Sequence, residues 1–144
     1  MKSRSLRILS VCAISAACMT HGQAAQRTTV ACGVAIDYAL NNAVIESYRK
    51  DFVVEPGVGF VDDFSTPTRF KRFTASTAQE GGSQVVSIDY QNDVDTFDMV
   101  GFGTRLTLLG GGAISIAAGN QMFATSLGVA GNHTTTYTLS CKRR

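Results

Sequence analysis

Residues 28–40 read TTVACGVAIDYAL, and Asn41 and Asn42 follow them. Val30, Cys32, Val34, Ile36 and Tyr38 fall on one side of an extended chain, with Ala31, Gly33, Ala35 and Asp37 on the other. Side chains alternate across a strand, so this period of two predicts a β-strand with one buried face. Asparagine tolerates the left-handed backbone of a tight hairpin, and Asn41-Asn42 therefore predicts the turn into a second strand over residues 43–55. Val44, Tyr48, Phe52 and Val54 would share one face of it. Leu40, Val44 and Tyr48 also recur at helical spacing, which leaves an amphipathic helix over residues 41–50 as the alternative there.

The same alternation carries outward to the C-terminus. Pro56-Gly57-Val58-Gly59 breaks the chain, and residues 60–67 read as an irregular connection or a short edge strand. Residues 69–77 and 84–90 predict a second hairpin about Glu80-Gly81-Gly82. Residues 97–109 place Val100, Phe102, Leu106 and Leu108 on one face, and Gly110-Gly111-Gly112 ends that strand. Residues 113–118 and 122–129 read as two shorter strands, and residues 133–141 close the chain with Tyr137, Leu139 and Cys141 facing one way. About seven to nine strands at this spacing predict an all-β fold, a single antiparallel β-sandwich closed by one disulfide. A small up-and-down β-barrel is the alternative. The sandwich is favoured because the stretch between Gly57 and Pro67 interrupts a simple meander.

Compartment is legible at the other end. Lys2, Arg4 and Arg7 precede a dozen or so apolar and small residues over 8–19, and Gly22-Gln23-Ala24 supplies a small-residue cleavage site. Residues 1–24 are therefore expected to be a cleaved secretory signal peptide, and residues 25–144 a single all-β domain, secreted or periplasmic. The apolar run is shorter than the roughly 20 residues of a spanning helix, so no integral membrane segment is expected after cleavage. Lipidation at Cys18 is the lesser alternative, with Ser15 where a large aliphatic residue is wanted. Cys12 and Cys18 leave with the leader, so Cys32 and Cys141 remain as the expected disulfide of an oxidising compartment. Such a bridge requires the two Cα atoms to lie within about 7 Å.

The leader also takes three basic residues and no acid, leaving ten Lys and Arg against eleven Asp and Glu. That balance argues against a nucleic-acid partner, since phosphate binding needs a net basic surface. The Lys142-Arg143-Arg144 tail is expected to be a solubilising end.

Catalytic chemistry has little to stand on. His133 is the one histidine beyond the leader, expected in a solvated turn over Gly131-Asn132-His133-Thr134, and no Gly-x-Ser-x-Gly elbow accompanies it. Asn132-His133-Thr134 also matches a glycosylation sequon. Asp89, Asp93, Asp95 and Asp98 bring oxygen ligands close enough in sequence to suggest calcium. The stretch lacks the EF-hand glycine and glutamate, however, and an acidic turn is expected. Two cysteines and one histidine are too few for a closed zinc site, so neither a metal nor another cofactor is expected.

One binding candidate remains, in which Phe60 and Phe64 are followed by Arg69, Lys71 and Arg72, with Phe70 and Phe73 between. Rings bury area and guanidinium groups supply forked donors, which is the composition of interface hot spots. Phe70 and Phe73 fall on opposite faces of a regular strand, so part of this set is expected to be core. The expectation is an exported non-enzymatic recognition module that binds a protein or glycan at the cell envelope or outside, as an inhibitor or effector. A small-ligand carrier with a barrel cavity is one alternative; a structural subunit of a surface fibre, marked by an unpaired hydrophobic sheet edge, is the other.

Overall fold

The computed structural model describes residues 28–93, 99–125 and 131–144, and all its named elements are strands. These are β1 Val30–Leu40, β2 Ala43–Val54, β3 Phe60–Asp63, β4 Lys71–Glu80, β5 Ser83–Asp93, β6 Met99–Thr107, β7 Ser115–Thr125 and β8 Gly131–Arg143. The expected signal peptide over residues 1–24, with Cys12 and Cys18, lies outside the described residues, as do Asp95 and Asp98.

β1 alternates buried and half-buried residues along nearly its whole length, as its period of two dictates. Asn41 and Asn42 both adopt positive φ, 50° and 69°, and turn the chain directly into β2. That turn excludes the helix considered over residues 41–50. Two consecutive left-handed residues cannot begin a right-handed helix, and the free edge of β1 offers the following residues a ladder.

Two four-stranded antiparallel sheets result, in the orders β2-β1-β8-β7 and β3-β4-β5-β6. The fold is the expected β-sandwich. Its connectivity explains why the barrel was a close competitor: successive strands are neighbours except at β2 to β3 and β6 to β7, and β8 returns to pair with β1. The ring of strands is interrupted at those two crossings. At the first, Gly57 and Gly59 take positive φ after Pro56, which has no N–H to give to a ladder. At the second, Gly111 and Gly112 do the same.

Phe73, Ile36, Leu139, Val30, Val54, Val86 and Val100 are fully buried between the sheets. Each contributes on the order of 1.5–3 kcal/mol by leaving water. Phe52 packs against Phe60 and Phe73 with ring centroids 5.0 and 5.2 Å away, and Tyr90, Phe102 and Tyr137 continue the aromatic layer. Cys32 and Cys141 face each other across the β1–β8 ladder and form the expected disulfide, 4.1 Å between Cα atoms.

Residues 126–129 lie outside the described residues, and residues 113–118 and 122–125 do not form two separate strands. A single strand, β7, runs unbroken through Gly119, paired with β8 at every residue from Ser115 to Thr125. A Cβ at position 119 would lie 2.8 Å from Tyr137 Oη, so the glycine admits a neighbouring ring rather than marking a turn.

Candidate functional site

The aromatic and basic residues singled out between Phe60 and Arg72 are parted by the fold. Phe60 turns inward onto Phe52, and Phe64 stacks on Tyr48 at 5.0 Å with 12° between the rings. Phe73 is fully buried, Phe60 and Phe64 are half-buried, and Phe70, at 37%, is the most exposed ring of this group. Arg72 is exposed, whereas Arg69 and Lys71 turn toward the end of the sandwich.

There they meet Glu46. Its Oε1 takes a hydrogen bond from Lys71 Nζ, and its Oε2 accepts from Asn92 Nδ2 at 2.9 Å and Arg69 Nη2 at 3.4 Å. Arg69 also donates to Asn92 Oδ1 at 3.2 Å and to the Asp93 carbonyl at 2.8 Å. Asn92 is fully buried. Burial pulls the Lys71 pKa below the ordinary lysine value, and the carboxylate beside it opposes that pull. The arrangement clamps β2 of one sheet to β4 and β5 of the other. Glu46 had a signal in the sequence, since it shares strand parity with Tyr48, Phe52 and Val54, where a carboxylate needs partners.

The β2–β3 crossing is bridged by side chains as well. Tyr48 Oη donates to Asp62 Oδ2 at 2.9 Å, and Lys50 Nζ lies 2.9 Å from the same oxygen. Lys50, chiefly, and Tyr48 hold the Asp62 carboxyl below its usual range. Burial first, then Asp62, pushes the Tyr48 hydroxyl well above its ordinary pKa.

His133 is not in a solvated turn. It is fully buried in β8 and on the inward parity of Thr135, Tyr137, Leu139 and Cys141, because the strand already begins at Gly131. Its Nδ1 is hydrogen-bonded to Tyr38 Oη at 2.7 Å, and the two rings stack at 5.8 Å. A tyrosine of β1 is thus one partner of this imidazole. Among the described residues no group of three or more His, Cys, Asp or Glu is placed to hold a metal. Asp93, within the acidic stretch that begins at Asp89, accepts the Phe70 N–H at 2.9 Å.

The sheet edges differ in chemistry. β3 has four residues and carries Asp62 and Asp63; β2 carries Glu46, Arg49, Lys50 and Asp51; β6 carries Arg105. Short length and charge are the usual guards of an unpaired edge. β7 has eleven residues, no charge and no proline, and among the described residues pairs only with β8. Ile116 is 65% and Met122 70% exposed, and Ala118, Gly119 and Asn120 between them are exposed as well. Beside it, a surface depression of about 440 Å³ lies between Met99, Gly101 and Gly103 of β6 and Gln121 of β7. A second, also about 440 Å³, lies on the outer side of the first sheet over Ala31, Gly33 and Val53.

Which backbone groups β7 offers follows from the disulfide. A Cα separation of 4.1 Å marks Cys32 and Cys141 as a non-hydrogen-bonded pair, so the N–H and C=O of Cys141 point away from β1, toward Ser115 of β7. With the β7–β8 register unbroken, Ser115, Ala117, Gly119 and Gln121 direct their backbone groups to β8. Ile116, Ala118, Asn120 and Met122 direct theirs outward.

No protein-family model matches the chain, and no curated protein matches it. Among the described residues no helix is long and apolar enough to cross a membrane.

Proposed function

We propose that the protein is an exported, non-enzymatic recognition module, secreted or periplasmic, that engages a protein partner by strand addition at the open edge of β7. The observation that carries this is the contrast among edges: β7 alone of the long ones presents outward N–H and C=O groups with neither charge nor proline to deter a guest strand. Ile116 and Met122 supply apolar anchors on its outer face. The basic, apolar leader and the Cys32–Cys141 bridge support export.

Of the alternatives, the small-ligand carrier finds less support, while the fibre subunit shares the open β7 edge as its expected mark. The space between the sheets is filled by Phe52, Phe73, Tyr90, Phe102 and their neighbours, where a carrier needs an apolar cavity. The aromatic-basic set from Phe60 to Arg72 spends most of its members on the core and the Glu46 clamp, which leaves Phe70 and Arg72 as its outward remainder. Capture from envelope and culture fractions, followed by amide exchange on the purified pair, tests the β7 reading. Slowed exchange at Ile116, Ala118, Asn120 and Met122 is the expected result, and capture undiminished by Ile116→Lys with Met122→Lys would sink it.

A further inference from the structure

We infer that the strand added to β7 is the β7 of a second copy, antiparallel about a two-fold axis at Gly119. This rests on the β7 reading and names its partner.

Three observations converge on self-pairing. The first is hydrogen-bond parity. About an axis at Gly119, Ala118 faces Asn120 of the other copy and Ile116 faces Met122, and these are four of the five β7 residues whose backbone groups point outward, Ala124 being the fifth. Each would donate and accept in a hydrogen-bonded pair, while Gly119, committed to β8, falls at a non-hydrogen-bonded position on the axis. The second is side-chain match. Ile116 and Met122, the two large apolar residues described as exposed on β7, become direct cross-strand neighbours on one face, twice by symmetry. The third is charge. An isologous contact sets a strand against itself, so any charge near the axis meets its own kind. β7 has none, whereas β2, with Arg49, Lys50 and Asp51, carries charges that make a self-paired register costly. The product is a continuous eight-stranded sheet in the order β2-β1-β8-β7 followed by its two-fold image. Pairing through one strand buries little area compared with a standard interface of about 1,600 Å², so the dimer is concentration-dependent.

Sedimentation velocity of the exported, oxidised protein over a concentration series tests this with two variants. Wild type is expected to shift from monomer to dimer. Ile116→Lys with Met122→Lys sets like charges opposite each other across the axis and should weaken the dimer at least about tenfold. Ile116→Lys with Met122→Glu sets opposite charges across the same axis and should restore it; within one chain the two positions are about 20 Å apart and do not meet. Far-ultraviolet circular dichroism of both variants confirms that each is folded. A wild type that stays monomeric at every concentration overturns the inference, as does a dimer indifferent to the double lysine variant. A dimer broken by the lysines and not restored by the charge pair overturns the axis at Gly119. A monomer that still captures another protein with slowed β7 exchange removes the second copy and leaves the edge reading standing; a monomer without such capture removes both.

Discussion

Cys32 and Cys141 are direct cross-strand partners in the β1–β8 ladder, their Cα atoms 4.1 Å apart, so the bridge joins one sheet to itself rather than one sheet to the other. The strands it links are already held by a continuous ladder, and its effect falls mainly on the unfolded chain, where it closes a loop across 109 positions. In the chain-entropy account a loop of that length is worth about 4–5 kcal/mol. Cys32→Ala with Cys141→Ala is expected to lower the stability measured by urea unfolding by up to about that amount. A midpoint that does not move would show that the loop is constrained by other means.

Glu46 should behave as the keystone of its end of the sandwich. Glu46→Ala leaves Lys71 largely buried and Asn92 fully buried without their carboxylate, at an expected cost of about 1–3 kcal/mol. Glu46→Gln keeps an oxygen for Asn92 and should cost less. The pair Glu46→Leu with Lys71→Met removes both ends of the buried contact and should recover part of the loss. Equilibrium unfolding of the three variants checks the order; a Glu46→Ala variant as stable as wild type would contradict it.

Much of this fold could be read from strand parity. Val30 through Tyr38 and Leu139 with Cys141 announce inward faces, Asn41-Asn42 announces its turn, and the two cysteines land opposite each other because both sit on those faces. Parity was also enough to divide Phe70 from Phe73. What it does not carry is the identity of the element a residue belongs to. His133 looked solvated because Gly131 and Asn132 resemble a turn, yet β8 had already begun. Gly119 looked like punctuation because its reason for being glycine is a ring on another strand. The Glu46 clamp joins positions 46, 69, 71 and 92, and only the packing of two sheets brings them together. The open edge of β7 depends on strand order, which no local pattern encodes.

Alkaline pH should loosen the β2–β3 crossing. The folded pKa of Tyr48 is raised, so the stability tied to it is fully present below the unfolded value, about 10, and is lost as pH rises above it. Tyr90, also raised by burial, acts in the same sense. Asp62 acts oppositely: its lowered pKa gives stability above the unfolded value, about 4, that is lost as pH falls through the folded one. Melting temperatures are therefore expected to fall steeply above pH 10, and Tyr48→Phe should make that fall shallower. An identical alkaline slope in Tyr48→Phe would remove this tyrosine from the account.

Gly119 and Tyr137 offer the sharpest test of packing at the β6–β7 crossing. The Tyr137 ring stacks on Phe102 at 4.4 Å and 12°, and its hydroxyl donates to Thr104 Oγ1 at 3.0 Å, so it is fixed on the side away from Gly119. A Cβ at 119 would meet Tyr137 Oη at 2.8 Å and Cε1 and Cζ at 3.0 Å, closer than carbon packing allows. Alanine would ordinarily gain about 0.5–1 kcal/mol over glycine inside a strand. Here the ring would have to leave Phe102 or the strand would have to bow, and Gly119→Ala is expected to destabilise by about 1–3 kcal/mol instead. Tyr137→Leu alone loses the stack and the hydroxyl contact; added to Gly119→Ala it also removes the clash, so the double variant should be more stable than the two single losses summed. That positive coupling, measured by urea unfolding of the four proteins, is the signature of direct contact. Additive losses would mean that the glycine is required by the backbone and not by the ring.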